Sequence, residues 1–418
     1  VIFVAKKRTM TSSRIPVYRV KGTHYDCSYT IGTLARESIR QRIAKDHTLS
    51  TLFAFVETDY GHQLHQGFIE RTRVLFPWYW DEICGLADGS EVPFEQILVL
   101  NFLNETRIAN RLFDEKQRII EKCQQLENEA GEKGCTTVLI NRKDTNTLSL
   151  LHNEDHAPAL YTTSYIIEAD IQSGKYDDGK RESPHEKFIA HCYAGSVPGN
   201  AFGINKHGFA YSLNGLYPNF VGHDRLPRQI LNRALLSIQN ENELDKLLNS
   251  VSVAYGFCIN GGFIHQSKYL LNYEIGPNIG IDNENYISKR LIINNEENLE
   301  KINKYSTALN YLVHYNHYER LDNVVSQLKS LESSYTRWKR GQELGEIFTT
   351  QDAIRLLGDD QNEKFSIFRA QEEETDVTAV TLCTIHINFL TLELTVYEHN
   401  PKKNNQPAYI YNLAELLA

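Results

Sequence analysis

Cys135 directly follows a glycine and opens a run of β-branched and apolar residues, Thr136-Thr137-Val138-Leu139-Ile140. Upstream, residues 113–133 are crowded with Asp, Glu, Lys, Arg and Gln. The Gly134–Cys135 bond therefore joins a charged segment to a sequence with the composition of a buried strand. Cutting that bond would put a thiol and a free α-amine into one residue. An α-amine titrates at about 7.7–8.0, near neutrality, so such a residue carries its own nucleophile and its own base. Without the cut, Cys135 would have the usual fate of a lone cysteine, a small buried hydrophobe.

Three further groups could complete a site. His152-Asn153-Glu154-Asp155-His156 closes the second strand of a hairpin that starts at Cys135. A hairpin returns its far end to the side of its start, so Asp155 is expected beside Cys135, holding the α-ammonium or orienting the thiol. A polar turn is the plainer alternative. A metal reading also exists, because positions 152, 154 and 156 share one face of a strand. No further ligand cluster supports it, and the expectation is no metal and no cofactor. Asn214, in Leu213-Asn214-Gly215, closes a β-like run where its amide could donate to an oxyanion, although Asn-Gly is equally a turn. Arg369 sits in the apolar setting Phe365-Ser366-Ile367-Phe368-Arg369-Ala370 and needs an anionic partner, at the site or in a structural ion pair.

The elements that must position these groups change character at Cys135. Before it, Ile15–Val20 reads as a strand, residues 28–72 and 73–88 carry helical spacing, and Pro93 opens a further helix. Residues 117–132 have helical propensity but few apolar anchors, and 113–134 reads as an exposed linker. After it come a strand hairpin at 138–140 and 148–151, then strands near 162–170, 187–194, 199–205, 208–214, 254–260 and 268–274. Helices are expected at 228–238, 241–248, 317–331 and 350–357, with the last two strands at 379–389 and 391–397. Such an order suits layered sheets covered by helices.

Bulk properties exclude several classes. The 418 residues are 41% hydrophobic and 23% charged, ordinary for a globular protein, and the net charge of −9 offers no basic footprint for nucleic acid. No run approaches the ~18 apolar residues of a membrane span. Seven cysteines without a CxxC pair suggest reduced thiols and a cytoplasmic setting. Met10 reads as a native start, with residues 1–9 as extension, and Asn104-Glu105-Thr106 is a sequon of the kind that arises by chance.

Gly134-Cys135-Thr136-Thr137, Asn153-Glu154-Asp155, Leu213-Asn214 and Phe365-Ser366-Ile367-Phe368-Arg369-Ala370 resemble, in order, the motifs of the acyl-coenzyme A:6-aminopenicillanic acid acyltransferase family. Residues 80–89, 97–101 and 25–32 resemble its N-terminal helices, so the likeness runs from about 16 to 400. That family also contains the Tan-type β-alanyl-dopamine hydrolases of insects. The resemblance implies an α+β fold, the four-layer αββα sandwich of N-terminal-nucleophile hydrolases. It implies self-cleavage into 1–134 and 135–418, which would stay associated, with a homo-oligomer as an option. It assigns Cys135 as nucleophile, Asn214 as oxyanion donor, Asp155 and Arg369 as organising charges, and Asn153, Glu154 and Ser366 as substrate contacts. The substrate class implied is a small N-acyl amine. Glu154 stands where the penicillin enzyme carries an aromatic residue, and a carboxylate there suits a cationic acyl group such as β-alanyl. The terminal Glu415-Leu416-Leu417-Ala418 is unlike an S-K-L peroxisomal tail, which favours a hydrolase over the alternative, a coenzyme A-dependent N-acyltransferase.

Overall fold

The computed structural model describes residues 13–121, 134–266, 268–278, 284–294, 306–326, 328–370 and 379–418. The chain opens with β1 (Val17–Gly22) and six helices: α1 (His24–Lys45), α2 (Thr48–Val56), α3 (Asp59–Leu75), α4 (Pro77–Ser90), α5 (Phe94–Asn101) and α6 (Leu103–Glu121). A hairpin, β2 (Thr136–Arg142) and β3 (Thr147–His156), begins the strand-rich part. It continues with β4 (Tyr165–Ile171), the short pair β5 (Lys175–Tyr176) and β6 (Arg181–Glu182), β7 (Glu186–Cys192), β8 (Phe202–Asn205) and β9 (Phe209–Gly215). Then come α7 (Arg228–Ala234), α8 (Glu241–Ser250), β10 (Phe257–Phe263), β11 (Tyr269–Pro277), β12 (Asn285–Ile293), β13 (Ser306–Leu309) and β14 (Tyr311–His314). The chain closes with α9 (Leu328–Leu344), α10 (Thr350–Leu357), β15 (Val380–Asn388), β16 (Glu393–Tyr397), β17 (Tyr409–Asn412) and α11 (Ala414–Leu417).

Two sheets carry the structure. The larger has nine strands in the order β1-β4-β7-β8-β9-β10-β11-β12-β13, and the smaller has six, β14-β2-β3-β15-β16-β17. Alternation along the strands sorts apolar residues to two faces, as the period of two requires. Ile166, Ile189, Phe202, Ile204 and Ile292 of the larger sheet meet Leu148, Leu150, Ile385 and Val396 of the smaller in one core. The opposite face of the larger sheet, with Ile167, Phe188 and Ile259, packs against α1–α8. The opposite face of the smaller sheet, with Val138, Ile140 and Leu151, packs against Leu356 and Leu357 of α10. The result is helix, sheet, sheet, helix: an α+β four-layer sandwich, as expected.

Local rules explain the helix starts. Thr23 and Thr58 cap α1 and α3, Pro77 sits at the first turn of α4, and Thr349 with Asp352 forms a capping box on α10. Where α1 crosses α4 the backbones nearly touch, and a Cβ on Gly89 would overlap the Tyr29 carbonyl. A buried ion cluster ties this layer to the larger sheet. Arg233 of α7 bonds Glu82 of α4 through Nε at 2.8 Å and also reaches Glu186 of β7. His24 Nδ1 of α1 lies 2.7 Å from the same Glu82.

Several expectations are corrected. The helical spacing over 28–72 belongs to three helices, broken at Asp46 and Glu57, and α3 runs on to Leu75 before α4 begins. The linker expected from 113 instead starts as the end of α6, and Phe113 stacks on Tyr60 at 5.7 Å. The rest of that linker, Met10 and residues 1–9 lie outside the described residues. No helix covers 317–326; α9 begins at Leu328. A further strand, β17, follows β16 and pairs with it. No helix among the described residues is long and apolar enough to cross a membrane.

Removing one partner of a buried ion cluster leaves uncompensated charge. Arg233→Met strands the Glu82 and Glu186 carboxylates, and it is expected to cost about 3–5 kcal/mol of stability, read by denaturant unfolding.

Candidate active site

The β2–β3 hairpin sets the site. Its register pairs Thr136 with Asn153, which carries Cys135 one step further, opposite Glu154. Asn146, at φ 46°, supplies the left-handed residue of the tight connection. Cys135 is buried, and its Sγ donates to Glu154 Oε2 at 3.6 Å, with the Asp155 main-chain oxygen at 4.0 Å. The carboxylate beside the thiol is thus that of Glu154. Burial, then Glu154 and Asp155, push the Cys135 thiol well above its ordinary pKa, so it is a neutral S–H in the intact chain.

Strand alternation separates the two neighbouring carboxylates. Glu154 faces the gap between the sheets, where Tyr193, just after β7, donates to its Oε1 and His152 Nε2 lies 3.0 Å from Oε2. Asp155 turns to the other face of β3. There the β15 irregularity between Thr381 and Cys383 lets Thr381 Oγ1 donate to Asp155 Oδ1 at 2.7 Å. Arg369 Nε stands 3.6 Å from Asp155 Oδ2, so the anionic partner that Arg369 needs is the Asp155 carboxylate. Burial raises the Asp155 carboxyl to about 7, against the pull of Arg369 and Arg337.

The remaining predicted residues divide. Asn214 lines the cavity at Cys135, its Oδ1 accepting from Thr137 Oγ1 and Asn260 Nδ2 at 2.7 Å each, its Nδ2 donating to the His314 carbonyl at 3.2 Å. Asn153 does not reach the cavity: its amide donates to the Leu357 and Ile367 carbonyls and accepts from Thr384, tying β3 to α10. Its expected substrate contact is replaced by a structural role, because position 153 shares the outward face with 151 and 155. Ser366 is half-buried and outside the cavity lining, immediately before Ile367, whose carbonyl accepts from the Asn153 amide.

Sequence reasoning missed Arg337 of α9. Fully buried, it donates through Nη1 to the Cys135 carbonyl at 2.9 Å and Thr136 Oγ1 at 3.0 Å, and through Nη2 to Asn316 Oδ1 at 2.7 Å. A Cβ on Gly134 would overlap Arg337 Nη2 and lie 2.6 Å from Asn316 Oδ1, so the residue before Cys135 has to be glycine here. The cavity is also lined by Tyr193, Tyr217, Arg228 and Asn232, and only about 30 Å³ of it admits a water-sized sphere. That is room for water and not for a substrate. A second cavity of about 400 Å³, lined by Tyr161, Arg369, Thr381, Glu398 and Lys403, lies beyond Arg369.

Ligand atoms of Cys135, His152 and Glu154 lie within 4.8 Å of one another, as do those of His24, Glu82 and Glu186. In the second group Arg233 already supplies the positive charge. The first group is joined by its own hydrogen bonds.

An α+β sandwich of two stacked sheets, with a buried cysteine at the start of a central hairpin, is the class this architecture defines. The family model described as acyl-coenzyme A:6-aminopenicillanic acid acyl-transferase matches residues 140–403, more than half of the chain, and the protein belongs to that family. The match takes in Glu154, Asp155, Asn214, Arg337 and Arg369 and begins just after Cys135. The chain is similar to the beta-alanyl-dopamine/carcinine hydrolase of Drosophila melanogaster, 24% identical over 393 residues, 93% of this chain and 94% of that protein. Among solved structures it is similar to the conjugated bile acid hydrolase of Clostridium perfringens, at 11% identity and a TM-score of 0.39, over 68% of this chain and 94% of that one. It is also similar to the penicillin V acylase of Agrobacterium tumefaciens, at 10% identity and a TM-score of 0.33, over 62% and 82% of the two chains.

Asp155 makes a signed pH prediction. Its folded pKa of about 7 lies above the ordinary aspartate value of 3.8, so the unfolded chain releases this proton first and stability falls as pH rises between the two. Asp155→Asn removes that loss. From pH ~4 to ~7 the variant gains on wild type by up to about 1.4 kcal/mol per pH unit, measured by denaturant unfolding across that window.

Proposed function

We propose that the protein is a self-processing cysteine amidohydrolase that cleaves small N-acyl amines, with N-β-alanyl amines as the preferred class. The single observation that carries this reading is the buried Cys135 thiol held between Gly134 and Glu154, at the one peptide bond whose cleavage would free an amine on the nucleophile. Family membership and the name of the Drosophila relative support it.

In the intact chain the thiol attacks the Gly134 carbonyl and the acyl group passes from nitrogen to sulfur. Water opens the thioester, leaving 1–134 and 135–418 as associated pieces of one domain: the first contributes β1 and α1–α6, which stay packed on the larger sheet. In the mature enzyme the Cys135 α-amine takes the thiol proton, Sγ attacks the substrate amide, and the amine leaves with that proton. The second N–H of Asn214, whose Oδ1 is pinned by two donors, stabilises the oxyanion. Asp155 Oδ2 makes no hydrogen bond and is available to the new α-ammonium, with Arg369 behind it.

Glu154 supports the β-alanyl class. It lines the cavity, and its described partners are a thiol, an imidazole and a phenol, with no lysine or arginine in ion-pair contact. A substrate ammonium would supply the missing cation. The family's description favours a second reading, acyl transfer from a coenzyme A thioester to an amine, since one thioester intermediate serves both.

Denaturing intact-mass measurement tests the class. Wild type is expected as two fragments meeting at Gly134/Cys135 and Cys135→Ala as one chain; one chain in both would return Cys135 to a buried hydrophobe. For the substrate, kcat/KM for a β-alanyl amine is expected to exceed that for the propionyl amide of the same amine by at least about 100-fold, since the latter lacks only the ammonium. Equal values would remove Glu154 from substrate recognition. Product partitioning with added amine separates hydrolysis from transfer.

A further inference from the structure

The α-amine that serves as base in the mature site does not exist before the cut, when it is the amide nitrogen of Gly134–Cys135. The intact chain therefore needs another group to take the thiol proton. Asp155 is unsuited by placement, because its carboxylate lies on the far face of β3 with Thr381 and Arg369. What does reach the sulfur is Glu154 Oε2, at 3.6 Å, which is itself 3.0 Å from His152 Nε2.

The direction of the hydrogen bonds around His152 follows from donor and acceptor counting along a buried chain between the sheets. Arg320 can only donate, so the atom it meets at 2.6 Å on Asn272 is the amide oxygen. Asn272 Nδ2 then donates to Asn260 Oδ1 at 2.7 Å, and Asn260 Nδ2 to Asn214 Oδ1 at 2.7 Å. The other end agrees, because Asn214 Nδ2 faces the His314 carbonyl, a pure acceptor. Thr137 Oγ1 is 2.7 Å from that same Asn214 Oδ1, which has no proton to give, so Thr137 spends its single hydroxyl proton there. The contact of 2.8 Å between Thr137 Oγ1 and His152 Nδ1 therefore requires the proton on Nδ1. Nε2, the nitrogen on the Glu154 side, is left to share one proton with Oε2.

We propose that the Glu154–His152 pair is the general base of self-cleavage, and that the Arg320–Asn272–Asn260–Asn214–Thr137 chain is the positioning device that holds His152 in its Nδ1–H form. This deepens the self-processing reading and rests on it. The thiol proton passes to Glu154 Oε2 as the Sγ–carbonyl bond of Gly134 forms. The pair returns that proton to the Cys135 nitrogen as the C–N bond breaks, leaving a thioester and a free amine. Water then cleaves the thioester, placing its hydroxyl on Gly134 and its other proton on sulfur. With the amine now in place the pair's work as base is finished, and Glu154 is released for the substrate. Titratable groups facing the pair are Cys135, Tyr193 and Tyr217, with His191 of β7 and Cys383 of β15, while Asp155 acts on it from the far face of β3.

The test is the rate of self-cleavage of the full chain made by cell-free synthesis, sampled by intact mass between pH 6 and 9. General-base assistance contributes about 10²–10⁴ in rate. Glu154→Gln is expected to slow cleavage by at least ~100-fold and to make its rate climb tenfold per pH unit, since hydroxide must then take the thiol proton. Wild type is expected to stay flatter with pH. Glu154→Asp keeps a carboxylate and should recover much of the rate and the flatter profile, which a purely structural role would not predict. Asn260→Ala, which loosens the Asn214–Thr137–His152 orientation, should slow cleavage without the hydroxide dependence. A Glu154→Gln chain that melts with wild type and cleaves at its rate and pH profile overturns the proposal. A Glu154→Asp chain that folds but behaves like Glu154→Gln does the same. Wild type that stays whole, or Cys135→Ala that is cut, overturns the self-processing reading beneath it, an outcome distinct from failure of the base assignment alone.

Discussion

A thiol held against a carboxylate in a dry gap between two sheets is the contact around which this molecule is arranged. Cys135 and Glu154 are both almost fully buried, and a polar pair in such a place is costly unless every hydrogen-bonding atom around it is met. The structure meets that demand with side chains from opposing sheets. His152, Thr137 and Glu154 come from the hairpin of the smaller sheet; Asn214, Asn260 and Asn272 come from three strands of the larger, and Tyr193 from the residue after β7. Separating the sheets would break the Tyr193–Glu154 and Thr137–Asn214 bonds that join the two halves, so the apolar core around Phe202, Leu150 and Ile385 also holds the polar chain in register.

Two arginines act from the other side of the hairpin. Arg337 grips the carbonyl of Cys135 and closes the space behind Gly134, while Arg369 accompanies Asp155. Burial, helped by repulsion from Arg369, draws the Arg337 pKa down to about 10. Their positive field sits on the outer face of β3, while the base assigned to the thiol lies on the inner face. The strand thus keeps the two arginines, on its outer face, apart from the thiol and Glu154, on its inner face. Adjacent residues, Glu154 and Asp155, do different work because alternate side chains point to opposite faces.

The cavity beside Cys135 admits little more than water. A space of this size holds water and no N-acyl amine, which fits the proposed order of events, in which water opens a thioester before any substrate enters. The same enclosure keeps the thiol neutral, so its proton has to be taken by a placed group rather than lost to solvent.

Much of this was legible in the chain itself. The Gly-Cys junction, the hairpin after it and the alternation of helix-rich and strand-rich segments follow from local composition, because β-branched runs and capped helices answer to neighbours a few residues away. Hairpin geometry points to Asp155, the close of a β-like run to Asn214 and an apolar setting to Arg369, and each is buried at or beside the site. Which carboxylate meets the sulfur was not legible, since it depends on the face of β3 that turns toward the larger sheet. Arg337 left no signal: the buried face of its helix is Ser333, Ser334, Arg337 and Gly341, which hydrophobic periodicity cannot register. Asn260 and Asn272 look like ordinary strand asparagines until β10 and β11 pair them side by side. Sequence alone determined the elements and the candidate nucleophile, because these rest on short-range propensity and pattern. Only the packing of two sheets decided the partners of the thiol and of the groups around it, because those are contacts between residues far apart in the chain, such as Tyr193 with Glu154 and Asn214 with Thr137.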